Sequence, residues 1–335
     1  MDKQSKTCRN SCWIIKKSFA FLFFCDKIPQ GCDLDGTEKN YRNLNLNVGT
    51  RTIEEDINTL INSQERMQIN NSDITQDILN ESFKDKKLLT FGESGNFLID
   101  STIYGVKDIT IFDVHRYQYY LIALKLLALQ KLPYDDYKDF LFNPESNKYL
   151  SLDIMEYLFQ DVPDYASIEF WKMYIGLKRN EAHKGMNLFS NQSTLFSRHL
   201  QSEKDYEKAR EGISKAKDID YLIANGKEPE LNEKYDRIYL GDFPSSISNR
   251  HFGFFMDSLD QENLTSDGEI IYYIKNFYVP DPESQSGTNK LRAKKEQENS
   301  MLSKGKINIL SNDGFEVTQA DIGTRDAWVK VKKRH

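Results

Sequence analysis

The stretch from Lys87 to Leu132 constrains this chain more than any other part of it. Lys87-Leu88-Leu89-Thr90-Phe91 is a short apolar run that stops at Gly92, as a buried strand does. Asn96 to Tyr104 reads as a helix. Asp108-Ile109-Thr110-Ile111-Phe112 reads as a second strand that ends at Asp113, and Arg116 to Leu132 as a long helix halted by Pro133. That helix carries apolar residues on most faces, among them Tyr120, Leu121, Leu124, Leu127 and Ala128. Strand, turn, helix, strand, helix in this order opens a parallel sheet, because parallel strands need a crossover helix between them. The pattern resumes at Tyr235 to Leu240, which ends at Gly241-Asp242, and continues as a helix over Phe252 to Leu264 and a strand over Glu269 to Ile274. Ile307 to Leu310 and Ala327 to Val331 are expected to close the sheet as an antiparallel pair. The fold class expected is α/β.

Around this core the reading is coarser. Residues 33 to 50 are polar and Asn-rich and read as a linker. Ile53, Ile57, Leu60 and Ile61 predict an amphipathic helix between Thr52 and Glu81, with a second over Ile74 to Phe83. Residues 134 to about 220 read as mostly helical, the charged run Gln201 to Lys217 being a solvated helix face. The 20 Phe and 18 Tyr supply a packed core, which excludes wholesale disorder. A net charge of −6 argues against a nucleic-acid partner, whose phosphates call for an excess of Lys and Arg.

The N-terminal segment carries its own expectations. Cys8, Cys12, Cys25 and Cys32 all lie there. Only Cys8 and Cys12 have a zinc-like spacing and no His is near, so no metal is expected. They read as reduced thiols of a cytoplasmic chain, or as acylation sites beside an apolar patch. Trp13 to Phe24 is broken by Lys16 and Lys17 and falls short of a membrane span. With Lys3, Lys6 and Arg9 around it, the 13–25 segment is a candidate for peripheral membrane contact, or else a helix docked on its own domain.

The chemistry is expected at Gly92-Glu93-Ser94-Gly95-Asn96 and at Asp113 on the next strand. In an open α/β sheet ligands sit beyond the carboxyl ends of the strands, where a glycine turn admits a nucleoside and a neighbouring carboxylate accepts from its ribose hydroxyls. Phosphate binding would want more glycines, and Glu93 would repel a pyrophosphate. A cationic nucleoside, S-adenosylmethionine (SAM), fits better. Glu93 is then expected to pair with the amino group of SAM or to face solvent. Val114 is a further candidate at the nucleoside site, and Gln118 is expected to hydrogen-bond either the nucleoside or the first loop.

The segment Asp113-Val114-His115-Arg116-Tyr117-Gln118 running into Leu124-Lys125-Leu126-Leu127-Ala128, then Leu132-Pro133-Tyr134, resembles the SAM:diacylglycerol 3-amino-3-carboxypropyltransferases of betaine-lipid synthesis. Asp113, Gln118, Leu124, Lys125 and Ala128 match that family position by position, and Asn96 matches the Asn ending its first loop. Leu240-Gly241-Asp242-Phe243 and Tyr273 to Pro280 resemble later motifs. The likeness spans residues 85–140 and 233–280, with His115-Arg116 standing where the family has Asn-Pro.

The resemblance implies a Rossmann-like SAM-dependent transferase sheet with an N-terminal helical extension and a helical insertion. The divisions are 1–50 leader and linker, 51–84 helices, 85–150 and 233–335 the two halves of the sheet domain, and 151–232 an insertion capping the acceptor. It implies transfer of the 3-amino-3-carboxypropyl group of SAM to a small-molecule or lipid acceptor, releasing methylthioadenosine. Asp242 is the first candidate general base and His115 the second. Lys125 is expected as a structural ion pair or a surface lysine, and the Tyr117, Tyr119, Tyr120 stripe as packing. A SAM methyltransferase, or a non-catalytic SAM-fold protein that binds a membrane or partner, stays open beside this reading.

Overall fold

A computed structural model describes residues 44–47, 52–63, 78–113, 116–144, 146, 148–160, 164–179, 197–223, 231, 233–246, 248–274, 304–308, 310–311, 315–321 and 327–333. The segment proposed for membrane contact, all four cysteines, Val114 and His115 lie outside these residues.

Among the described residues, eight strands form one sheet. In chain order they are β1 (Leu44–Asn47), β2 (Lys87–Phe91), β3 (Asp108–Asp113), β4 (Asp218–Ile223), β5 (Tyr235–Tyr239), β6 (Leu264–Ile274), β7 (Phe315–Asp321) and β8 (Ala327–Lys333). Their spatial order is β1-β4-β3-β2-β5-β6-β8-β7. The first six run parallel, and β8 pairs antiparallel with both β6 and β7. This is the open, doubly wound Rossmann-like arrangement: from β2 the chain steps outward through β3 and β4, then returns to start again at β5 on the other side.

The helices follow from that winding. Right-handed crossovers stepping in opposite directions place their helices on opposite faces. α2 (Asn96–Ile103), α3 (Arg116–Lys131) and α7 (Glu203–Lys215) contribute Phe97, Leu121 and Tyr206 to the core on one face. α8 (Asn249–Ser258), between β5 and β6, packs Phe252 and Met256 on the other, with Leu310 beside them. Strand alternation separates the two cores: Leu88, Ile109 and Ile111 face the first, Leu89, Phe112 and Ile238 the second.

α1 (Ile53–Ser63), α4 (Tyr134–Phe142), α5 (Leu152–Phe159) and α6 (Tyr165–Arg179) thicken the first face. They enclose α3, whose residues from Arg116 to Leu129 are all buried. Tyr120 stacks on Phe170 at 4.2 Å and its hydroxyl donates to Asp56 of α1, while the Trp171 indole donates to the Tyr120 carbonyl. Arg116 pairs with Asp56 at 3.0 Å, both buried. The tyrosine stripe is therefore packing, with Tyr119 and Tyr120 tied down through their hydroxyls to Asp164 and Asp56.

Some expectations are corrected. β1 lies within the stretch read as a linker and pairs in parallel with β4 at the sheet edge. β4 lies within the expected helical insertion yet pairs with β3 along its whole length, so α7 and β4 belong to the sheet domain. The charged run is only partly solvated, since Asp205, Tyr206, Ala209 and Ile213 of α7 are buried against the body. Residues 304–308 are helical rather than a strand, and β7 supplies the antiparallel partner instead. Within this segment Lys306 is buried and donates to the Pro244 carbonyl. Of the expected 74–83 helix, residues 78–83 are described and hold one short turn at Glu81–Phe83, while 74–77 lie outside the described residues. Among the described residues no helix is long and apolar enough to cross a membrane.

Candidate functional site

β2 and β5 are neighbours whose chains leave in opposite directions, so their carboxyl ends form the crevice of the sheet. One lip is the turn Gly92 to Asn96 after β2, and the other is Gly241 to Ser246 after β5.

The first lip is built for close approach. The Gly92 amide donates to the Phe112 carbonyl at 2.8 Å, which seats the turn beside the tip of β3. A side chain at Gly92 would bring its Cβ to 2.5 Å from Asp113 Oδ2. The Asp113 carboxylate therefore lies directly over the turn, where a ligand crossing Gly92 meets it. Gly95 adopts the left-handed conformation, φ 75°, and starts α2.

The acids of the crevice are not equivalent. Asp113 is 2% exposed. On the neighbouring β4 the Tyr221 hydroxyl is buried with no hydrogen-bond partner among the described residues, and burial followed by the charge of Asp113 pushes its pKa well up. It stays a neutral donor. Glu93 is strained at φ 38° and buried, and its Oε1 accepts from the Asp242 amide at 3.0 Å. Glu93 therefore does not face solvent, and through this oxygen it links the two lips. The reach from position 93 to position 242 had no local signature in the sequence.

Lys125 is not a surface lysine. It is fully buried, and its ammonium donates to the Ser94 carbonyl and to Asn96 Oδ1, each at 2.6 Å. The turn is thus held from beneath by α3. Asn96, expected at the nucleoside, has Oδ1 committed to this lysine. Burial lowers the Lys125 pKa to about 7 against the attraction of Asp100. Between pH 7 and 9 the unfolded chain then holds a proton that the folded chain has shed. Stability should rise with pH over that window by up to about 1 kcal/mol per unit, and Lys125→Met should remove this slope. Urea denaturation of both proteins at pH 7 and 9 checks it; equal slopes would show that the amine does not titrate there.

The other side of the crevice is aromatic. Phe91, Phe112 and Phe243 each immediately precede or follow one of Gly92, Asp113 and Asp242 in sequence. Phe91 lies 5.3 Å from Phe112 and 5.1 Å from Phe243, which meets Phe255 of α8 at 5.6 Å. Asp242 stands half-buried at the foot of this wall, and Gln118 is buried on the first turn of α3. A separate buried cluster lies behind α2, where Asp100 accepts from the amides of Arg198 and His199 and from the His199 ring. Among the described residues no group of His, Cys, Asp and Glu could hold a metal ion.

No protein-family model matches the chain. No curated protein sequence matches it either. Solved structures with a similar course include the ribosomal protein L11 methylase of Lactobacillus delbrueckii subsp. bulgaricus, at 10% identity and a TM-score of 0.29, covering 75% of this chain and 71% of that one. The SAH-bound methyltransferase of Podospora anserina has 14% identity and a TM-score of 0.25, covering 40% and 58%. The magnesium protoporphyrin IX methyltransferase of Synechocystis PCC 6803 with bound SAH has 10% identity and a TM-score of 0.37, covering 88% and 93%. At such scores the assignment of the fold rests on this chain's own strand order.

The site's donors and acceptors suit an adenosyl nucleoside. A bare glycine backbone lies against a buried carboxylate with two acceptor oxygens, and the neutral Tyr221 phenol is near that carboxylate.

Proposed function

We propose that this chain is a SAM-dependent transferase acting on an apolar small-molecule or lipid acceptor. The observation that carries the reading is the Asp113 carboxylate lying over Gly92, at the carboxyl ends of strands beside the crevice. Bound there, the sulfonium would supply an activated carbon whose transfer leaves a neutral thioether nucleoside.

Each residue has a part in this reading. Asp113 accepts from the ribose hydroxyls, and Gly92 lets backbone and ligand touch. Glu93 sets the spacing of the lips through the Asp242 amide. Asp242 takes the proton of an acceptor hydroxyl as that oxygen attacks. The aromatic wall of Phe91, Phe112, Phe243 and Phe255 receives the apolar body of the acceptor and thins the water around it. His115, the second candidate base, lies outside the described residues.

Which carbon is transferred depends on where the acceptor sits relative to the sulfonium. Methyl transfer to the acceptor oxygen is the first reading. The amino-acid arm of SAM has to be held in either route, so the bond from the Asp242 amide to Glu93 does not separate them. The Asp113 to Ala128 motif keeps aminocarboxypropyl transfer as the second reading.

Mass spectrometry of the nucleosides formed from SAM and a lipid-containing cell extract separates the two. S-adenosylhomocysteine (SAH) marks methyl transfer and methylthioadenosine marks the second route. Neither product, together with no calorimetric binding of SAH, rejects the transferase.

A further inference from the structure

A second buried lysine mirrors the first. Lys306, in the helical 304–308 segment, is 4% exposed and donates to the Pro244 carbonyl. Its ammonium lies 5.6 Å from the centre of the Phe252 ring. Pro244 belongs to the turn after β5 that begins Gly241-Asp242. Lys125 reaches the β2 turn from the α3 face, and Lys306 reaches the β5 turn from the α8 face.

Burying a lysine is costly, so where the ammonium is aimed is informative. Both are aimed at a backbone carbonyl of a strand-tip turn. A bond to a carbonyl fixes the course of the main chain, and with it every group the turn presents. Burial lowers both pKa values, to about 7 for Lys125 and about 8 for Lys306. A neutral amine keeps two N–H donors, so it can still donate these bonds without its charge.

We propose that Lys125 and Lys306 are positioning residues that pin the two lips of the crevice from opposite faces of the sheet, Lys125 setting affinity for the adenosyl nucleoside and Lys306 setting where Asp242 stands. The role given to Lys125 rests on the nucleoside reading above; the pinning of the second lip does not.

Amide hydrogen exchange and SAH calorimetry on the full chain test this. In Lys125→Met, exchange should rise at 92–96 and not at 241–246, and SAH should bind at least about tenfold more weakly, because the turn it crosses is no longer held in place. In Lys306→Met, exchange should rise at 241–246, with SAH affinity within about threefold of the parent. A lysine with only a general role in stability would raise exchange across both lips alike. That outcome, or a rise in neither, overturns the proposal. So does unchanged SAH affinity in a folded Lys125→Met. A parent chain that binds no SAH removes the nucleoside reading and the role of Lys125 with it, while the exchange pattern still decides Lys306. Should methionine prove too disruptive, Lys125→Gln and Lys306→Gln keep an N–H donor, and their smaller rise must stay within the same lip.

Discussion

Asp113→Ala should weaken SAH binding by about two decades or more in Kd. The carboxylate is 2% exposed and touches the glycine turn, so the two ribose hydroxyls it would accept meet it away from bulk water. Charge-assisted bonds of this kind are worth roughly 1.5–3 kcal/mol each, and about 3 kcal/mol corresponds to a hundredfold. Asp113→Asn, which keeps the shape and one acceptor, should fall between the two. Calorimetry with SAH reads the effect, and circular dichroism confirms that each variant is folded. A folded alanine variant binding SAH within threefold of the parent would refute the nucleoside site.

Gly241→Ala should cost about 2–4 kcal/mol of folding stability. Its φ of 54° lies in the left-handed region, where a side chain adds about 1–2 kcal/mol. The new Cβ would stand 1.6 Å from Glu93 Oε1, so the carboxylate must leave. Its bond to the Asp242 amide then breaks inside a buried site, a further 1.5 kcal/mol or so. The two effects separate in a double-mutant cycle. In a Glu93→Ala background Gly241→Ala should show mainly its backbone cost, because the obstructing oxygen is gone. Urea denaturation of the four proteins measures this. Additive costs would mean that Glu93 does not occupy the space beside Gly241.

How far the sequence foretold this arrangement depends on the range of the interactions. β2, α2, β3, α3 and β5 were legible because each is a run of apolar residues stopped by Gly, Asp or Pro, and the placing of Gly92 and Asp113 at neighbouring strand tips follows from that order alone. β1 and β4 were not. Leu44–Asn47 and Asp218–Ile223 are short and lie in stretches whose surroundings are Asn-rich or highly charged, and they become strands through pairing with each other and, for β4, with β3. The lysines were only half legible, for a different cause. The family likeness offered a structural role for Lys125, but nothing near position 125 or 306 in sequence names the carbonyl, some thirty or sixty residues away, on which each ammonium ends. The link from Glu93 to Asp242 spans a still longer separation.

The enclosure of α3 bears on how this protein can be taken apart. α5 and α6 are cladding on that helix, with Phe170 and Trp171 pressed onto Tyr120, and they do not form a module that could be excised. Deleting 151–179 would wet one side of a rod that has no water-facing side of its own. The shortened chain should collapse or aggregate before its chemistry could be assayed, so a minimal functional fragment has to keep this cladding.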